Sequence, residues 1–257
     1  MSGRVSIVTP SFNQARFLPA TLASLRAQDY PAIEHLVMDG GSTDGSVDIL
    51  RQTTGLQWVS EPDAGQVAAL NKGFERATGD VLAWLNTDDL FFPNTVATAM
   101  RALTETGADL VYGDLDIMDE SGRVLRQSHG IPFDYRVLLY GINYIGQQTV
   151  FFRRSLWERA GPLRADLDNA FDHELWLRMA AHGRLVYVPG LRAQIRYHAA
   201  AKSVARAGVT AENTQRIRRE YWARGGWPAC FQKLPWFWIP HYGYRLKRQL
   251  QIQRRPG

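Results

Sequence analysis

Val81-Leu-Ala-Trp-Leu-Asn-Thr-Asp-Asp89 is an apolar run that stops abruptly at a polar, twice-acidic loop. A short, unbroken apolar run of this kind reads as a strand buried on both faces. A helix is expected over 93–106, with Val96, Met100 and Leu103 on one face and Pro93 at its start, where helices accept proline. The same unit recurs upstream. Val5-Ser-Ile-Val-Thr9 precedes a helix over 17–28 with Leu18, Leu22 and Leu25 aligned. Glu34-His-Leu-Val-Met38 precedes a helix over 45–52. Leu56-Gln-Trp-Val59 precedes a helix over 65–77 with Val67, Leu70 and Phe74 aligned. Leu110-Val-Tyr112 adds a fifth strand. Repeated strand–helix units of this length predict an α/β fold with one mostly parallel sheet and helices on both faces.

Beyond about residue 115 the pattern changes. A hairpin is expected over 114–127, a strand over 149–152, and a helix over 172–181 with Leu175, Trp176 and Met179 facing inward. Strands follow at 185–188 and 193–197. This half reads as the acceptor side of the same domain. The expected division is a catalytic domain over 1–205, with halves 1–115 and 116–205, and a helical, aromatic and basic extension over 206–257.

The chain has 257 residues, 45% hydrophobic and 21% charged, an ordinary globular composition, with a formal net charge of +5. A basic balance suits polyanionic partners without choosing among them. Cys230 is the single cysteine, which rules out an internal disulfide and a cysteine-based zinc site. No apolar run approaches the roughly 18 residues of a membrane span, and no secretory leader is read at the start. A cytoplasmic protein is expected, peripheral at the inner face of the membrane if the C-terminal segment touches lipid. That segment places Trp222, Trp227, Trp236, Phe237, Trp238, Tyr242 and Tyr244 beside Arg245, Lys247, Arg248, Arg254 and Arg255. Such a mixture suits an anionic membrane surface, and equally a packed helical cap with a solvated basic tail. Nucleic acid is not expected as a partner, because only charge suggests it.

In an open parallel sheet, ligands bind beyond the carboxyl ends of the strands. Four loops therefore matter: Pro10-Ser-Phe-Asn13, Asp39-Gly-Gly-Ser-Thr-Asp-Gly45, Glu61-Pro-Asp-Ala-Gly65 and Asn86-Thr-Asp-Asp89. Three carry carboxylates, and all should open onto one edge. The adjacent Asp88 and Asp89 repel unless a cation lies near, and Mg²⁺ or Mn²⁺ takes few carboxylates and completes its shell with water and phosphate oxygens. Helix capping by Asp88 is the plainer alternative. Asp39 suits a hydrogen bond to a nucleobase or ribose, although its loop is also a good strand-to-helix turn. No Gly-x-Gly-x-x-Gly and no Gly-Lys-Ser/Thr loop occurs, which argues against dinucleotide and P-loop chemistry.

Ser6-Ile-Val-Thr-Pro-Ser-Phe-Asn13 and Met38-Asp-Gly-Gly-Ser-Thr-Asp-Gly-Ser46 resemble the opening of family 2 glycosyltransferases, which have the GT-A fold. Glu61-Pro-Asp-Ala-Gly-Gln66, Asn71-Lys-Gly73, Ala77-Thr-Gly-Asp80 and Asn86-Thr-Asp-Asp89 continue it in order. A weaker likeness runs through Gly146-Gln-Gln-Thr-Val-Phe-Phe-Arg153 and Phe171-Asp-His-Glu-Leu-Trp-Leu-Arg178 to His198. The resemblance implies transfer of a sugar from a nucleotide-diphosphate donor, UDP- or dTDP-linked, to a glycan or lipid-linked acceptor hydroxyl, with inversion. It implies donor-binding roles for Pro10, Phe12, Asp39, Asp63, Lys72, Thr87 and Asp88. Metal-binding roles fall to Asp88, Asp89 and His198, for Mn²⁺ or Mg²⁺, and the base role to Asp172. Two positions depart from the family pattern: Asn86 stands at the first place of the Asp-x-Asp motif, and Phe171 where a glutamate usually precedes the base. These departures keep a non-catalytic nucleotide- or glycan-binding protein as an alternative. A nucleotidyltransferase is another, though Pro10-Ser-Phe-Asn13 lacks the glycine-rich basic loop it would need.

Overall fold

A computed structural model describes residues 3–199 and 201–224. The first part of the chain alternates as expected: β1 (Val5–Ser11), α1 (Leu18–Arg26), β2 (Ile33–Asp39), α2 (Ser46–Gln52), β3 (Gln57–Ser60), α3 (Gln66–Arg76) and β4 (Val81–Trp84). Then come β5 (Leu90–Phe91), α4 (Thr95–Thr106), β6 (Leu110–Met118), β7 (Val124–Ser128), β8 (Phe151–Arg153), α5 (Arg154–Ala160), α6 (Phe171–Ala180) and β9 (Leu185–Arg196). The short α7 (Lys202–Ala205) and the long α8 (Ala207–Arg224) close the described region. One sheet carries nine strands in the order β3-β2-β1-β4-β8-β6-β9-β5, with β7 paired to β6. The β3-β2-β1-β4 half is parallel, as are β6 and β9, while β8, β5 and β7 join antiparallel.

Burial explains the parallel half. All seven residues of β1 and all four of β4 are buried, which the unbroken apolar runs foretold. Val67, Leu70 and Phe74 of α3 pack on one face of the sheet, and Val96, Ala99 and Leu103 of α4 on the other. Trp84 stacks on Trp176 with ring centroids 5.3 Å apart, tying β4 to α6.

Several elements differ from expectation. α4 begins at Thr95 rather than Pro93, and the Thr95 hydroxyl accepts the Phe92 N–H at 3.0 Å. The two strands expected at 185–188 and 193–197 are the arms of one strand, β9, kinked at Pro189-Gly190 where Gly190 has φ +85°. Its register against β6 shifts between Tyr112 and Asp114. Gly113 permits the shift, because a Cβ there would lie 1.9 Å from the Leu191 carbonyl oxygen. β5 and α5 escape the sequence reading. The aromatic and basic residues from Trp227 to Arg255 lie outside the described residues. Trp222 does not, and it is buried.

The sheet's centre holds a buried acid. Glu34 of β2 is 3% exposed and accepts hydrogen bonds from Ser6 Oγ at 2.5 Å, Thr78 N at 2.7 Å and Thr78 Oγ1 at 2.8 Å, with Arg4 at 3.5 Å. Burial alone would push its pKa up, but these donors and the Arg4 charge outweigh it and hold the carboxyl below its ordinary value. A depressed folded-state pKa gives stability that is present above the unfolded-state value and is lost as pH falls through the folded-state value. Glu34→Gln should therefore cost about 1–3 kcal/mol at pH 7. It should also flatten the fall of melting temperature with acidification, as thermal denaturation across pH 3–7 would read.

Candidate active site

The ends of β1, β2 and β4 open onto one cavity of about 970 Å³, whose far wall comes from 141–148, the start of α6 and one face of α8. Pro10, Phe12, Asp63, Thr87, Asp88, Asp89 and Asp172 all line it, so the structure brings together seven of the residues expected there. Phe12 is 60% exposed at the rim. The β1 and β2 loops are zipped together: Asn13 donates its N–H to Ser42 Oγ at 2.7 Å, and its Oδ1 accepts the Thr43 N–H at 2.9 Å.

Asp39 differs from expectation. It is 2% exposed and lies behind the lining rather than in it. Its carboxylate accepts from Ser42 N at 2.9 Å, Ser42 Oγ at 2.6 Å, Ser60 Oγ at 2.7 Å and Gly41 N at 3.1 Å. Burial pushes its pKa up, but these donors outweigh it and keep the carboxyl below the ordinary range. Asp39 therefore shapes the loop, and the wall itself is Gly40 and Asp63. The Asp63 oxygens lie 3.2 Å from where a Cβ on Gly40 would stand. Asp63 Oδ1 also accepts the Gly65 N–H at 2.7 Å. Lys72 likewise does not line the cavity, because its ammonium pairs with Glu61 Oε1 at 2.5 Å.

The two acids after β4 part company. Asp89 is 2% exposed, and both its oxygens are taken: Oδ1 by the Arg196 N–H at 3.0 Å, Oδ2 by Gln148 Nε2 at 2.7 Å and Asn86 Nδ2 at 3.1 Å. Burial, with the Asp88 charge beside it, pushes its carboxyl well above the usual range. It borders the cavity from deep in the wall, with its oxygens held by the protein's own donors. Asp88 faces the cavity. His198 Nε2 lies 3.0 Å from Asp88 Oδ2, and its ring packs on Phe17 at 4.9 Å. His198 itself is 8% exposed and stands behind Asp88, off the cavity lining.

Among the described residues no three His, Cys, Asp or Glu side chains gather as a metal cluster. Asp88 on the cavity, with His198 beside it, could contribute to a cation shell. That set fits Mg²⁺ or Mn²⁺ bound chiefly by diphosphate and water, which needs only one or two protein ligands.

Asn86 is absorbed into a side-chain amide network. Its Oδ1 accepts from Gln66 Nε2 at 2.9 Å, and its Nδ2 donates to Asp89 and to Gln147 Oε1 at 3.2 Å. Gln147 Nε2 in turn donates to the Trp84 carbonyl at 2.6 Å. The neutral amide suits this place, since it donates to one buried acid and accepts from one amide, which a carboxylate could not do. Gln147 and Gln148 fall in the weaker stretch of the family likeness, and nothing in the sequence marks them for this role.

On the far wall Asp172 occupies the second position of α6, after Ala170 at φ +61°. Asn143 Nδ2 donates to its Oδ2 at 2.9 Å. Burial raises the Asp172 pKa, and the His173 N–H and Asn143 offset this only in part. Phe171, in the usual glutamate position, is 7% exposed and joins the core, with the Lys202 ammonium 5.8 Å from its ring centroid. Glu174 is not an alternative base: it is 2% exposed, ion-paired to Arg178 at 2.8 Å and hydrogen-bonded by Tyr221 Oη at 3.0 Å.

The comparisons with known proteins agree with this layout. The family described as Glycosyl transferase family 2 matches residues 6–159. An uncharacterized glycosyltransferase of Mycobacterium tuberculosis is 38% identical over 183 residues, which is 68% of this chain and 68% of that one. A PGL/p-HBAD biosynthesis glycosyltransferase of Mycobacterium bovis is 35% identical over 164 residues, 61% of this chain and 62% of that one. Among solved structures, S. aureus TarS in complex with UDP-GlcNAc superposes with a TM-score of 0.70 at 16% identity, over 98% of this chain and 76% of that one. A Pyrobaculum calidifontis mannosyltransferase in complex with GDP-Man and Mn²⁺ gives 0.65 at 22% identity, over 97% and 71%. Acidic loops at one edge of a parallel sheet, a second half that closes the cavity, and these likenesses together make the chain a member of glycosyl transferase family 2, with the GT-A fold and a sugar-transfer role.

Proposed function

We propose that the chain transfers a sugar from a UDP- or dTDP-linked donor to a hydroxyl of a glycan or lipid-linked acceptor, in one displacement that inverts the anomeric carbon. The observation that carries this reading is the placement of Asp88 and Asp172 on the same cavity, Asp88 on the β4 loop and Asp172 on the wall opposite the donor loops. The solved relatives, which hold UDP-GlcNAc and GDP-Man, support a nucleotide-diphosphate donor.

In this reading Phe12 covers one face of the base and Asp63 accepts from its edge, while Asp39 acts indirectly by fixing the loop. Pro10 and Thr87 bound the nucleotide between them. Asp88, with His198 beside it, would hold Mg²⁺ or Mn²⁺, which would supply positive charge to offset that growing on the diphosphate leaving group. Asp172 takes the proton from the acceptor hydroxyl as that oxygen attacks the anomeric carbon. Its raised pKa suits the task, since a base works best when its pKa lies near the working pH. Asn143 aims the carboxylate. The donor half corresponds to 1–115 and the acceptor half to 116–205. α8 belongs with the acceptor half, because its Ile217 is fully buried in the main core.

Replacing the base separates chemistry from stability. Asp172→Asn should lower transfer by roughly 10²–10⁴-fold and leave nucleotide affinity nearly unchanged. An acid with a raised folded-state pKa makes the fold less stable once pH exceeds its unfolded-state value, because ionisation is then penalised. Asp172→Asn should therefore hold or raise the melting temperature at pH 7–8, with the difference vanishing near pH 3. The acid limb of the wild-type kcat/KM profile should lie above the ordinary aspartate value of about 3.9. Normal turnover in the variant removes Asp172 from the mechanism.

For the cation, calorimetry of UDP or dTDP binding should show tighter binding in Mn²⁺ than in chelator, and Asp88→Ala should erase the difference. Equal affinity in the two media contradicts a metal role. We also propose that the aromatic and basic segment after residue 224 meets anionic lipid. The full chain should then float with phosphatidylglycerol vesicles, less so as salt rises, because exposed charges are screened. Among the described residues no helix is long and apolar enough to cross a membrane, and flotation equal to that on neutral vesicles rejects the surface contact.

A further inference from the structure

The sugar-transfer reading leaves the acceptor's chemistry open, and α8 bears on it. Thr210, Thr214 and Arg218 recur every four residues, so they share one face of the helix, and all three line the cavity. The rest of α8 is pinned to the body. Ile217 is fully buried, Glu220 pairs with Arg164, and Tyr221 reaches Glu174. The cavity-facing stripe is therefore held in place and is part of the site.

Arg218 is the unusual member. Its Nε donates to the Leu139 carbonyl at 3.0 Å and its Nη2 to the Gly141 carbonyl, both on the π-helical turn Val137–Gly141. These acceptors are neutral. Arg164, Arg178 and Arg192 of this half pair with acids, whereas Arg153, Arg154 and Arg196 also end on main-chain carbonyls; of these last three only Arg196 lines the cavity, with its Nε on the Asp88 carbonyl of the β4 loop. Arg218 forms no ion pair among the described residues, and its Nη1 has no protein acceptor there. A part-buried guanidinium stays charged and is costly to leave without a counter-charge. The two carbonyls take two of its five N–H groups and fix its plane, on a side chain that lines the cavity. Arg126 of β7 lines the same cavity and also makes no ion pair among the described residues.

The anchoring ties this cation to the proposed base. Arg218 holds the carbonyl of Gly141, and two residues on Asn143 holds Asp172. The guanidinium and the proposed base thus share the stretch 141–143, while contact with the β4 end and its loop is made further on, by Gln147 and Gln148. We infer that Arg218 is an acceptor-recognition residue, and that the acceptor carries an oxyanion, phosphate or carboxylate, close to the hydroxyl that is glycosylated. This rests on the sugar-transfer reading and adds the chemical class of the acceptor.

Binding of three small probes to the full chain tests the inference: glucose 6-phosphate, glucuronate and glucose, each titrated with and without excess UDP. A charge-assisted contact predicts at least about tenfold tighter binding of a charged probe than of glucose, persisting with UDP present. Preference for glucose 6-phosphate alone assigns the subsite to phosphate, and preference for glucuronate to carboxylate. Arg218→Gln should remove the preference while UDP affinity stays at the wild-type value, and Arg218→Lys, which keeps the charge, should retain part of it. Equal binding of all three probes to the wild type overturns the inference, as does a preference that survives Arg218→Gln. A preference erased by UDP places the anion in the donor pocket, which overturns this inference and leaves the donor reading standing. A preference that persists in a protein unable to bind any nucleoside diphosphate has the opposite effect, sinking the donor reading and keeping the oxyanion subsite.

Discussion

The buried carboxyl of Asp89 is the constraint on which the site depends. A buried carboxyl must have its hydrogen bonds met, and here the donors come from three separated places: Asn86 on its own loop, Gln148 on the turn before β8, and the Arg196 main chain at the end of β9. The Thr21 hydroxyl bonds the carbonyls of Thr87 and Asp89, bringing in α1. Arg196 also donates from Nε to the Asp88 carbonyl at 3.0 Å. Donor loop, middle wall and closing strand are thus fastened at one atom group. Asp88, next in the chain, is thereby turned outward to the cavity.

Both departures from the family pattern make physical sense around this lock. Asn86 can donate to Asp89 and Gln147 while accepting from Gln66, a combination open to an amide and closed to a carboxylate. A second acid at position 86, beside a buried acid and Asp88, would add like-charge repulsion. Phe171 packs in the core at the start of α6, and its apolar bulk contributes to the burial that raises the Asp172 pKa. Asp88 and Asp172 both face the cavity, and the residues at the two departing positions, Asn86 and Phe171, are neutral.

Much of this was legible in the sequence, for a reason that applies residue by residue. Apolar runs at 5–9, 34–38 and 81–85 could only be strands covered on both faces, and parallel strands send their following loops to one edge. That places Asp63 and Asp88 on the cavity, whereas Asp172 came only from the family resemblance. The sequence could not say which of Asp88 and Asp89 turns inward, because that is decided by pairing of Leu90 and Phe91 with Ala193 and Gln194 of β9. Asp39 and Lys72 lie off the cavity lining for a similar reason. Their partners Ser60 and Glu61 sit at the end of β3, one strand away, and consume the groups that ligand was expected to meet. The α8 stripe was invisible as a site feature, because Thr210, Thr214 and Arg218 form an ordinary polar face until the cavity is seen beside them.

The span of the Asp89 lock bears on how the protein is made. Asp89 and Arg196 are 107 positions apart, and Asp88 and His198 are 110. A chain emerging from the ribosome completes the β1–β4 half long before β9 exists, and in that interval Asp89 lacks two of its three partners. Contacts this distant in sequence are closed late, because the entropy of loop closure must be met first. The β4 loop should therefore take its final order only when β9 joins the sheet, so the part of the cavity that Asp88 lines is completed among the last steps of folding.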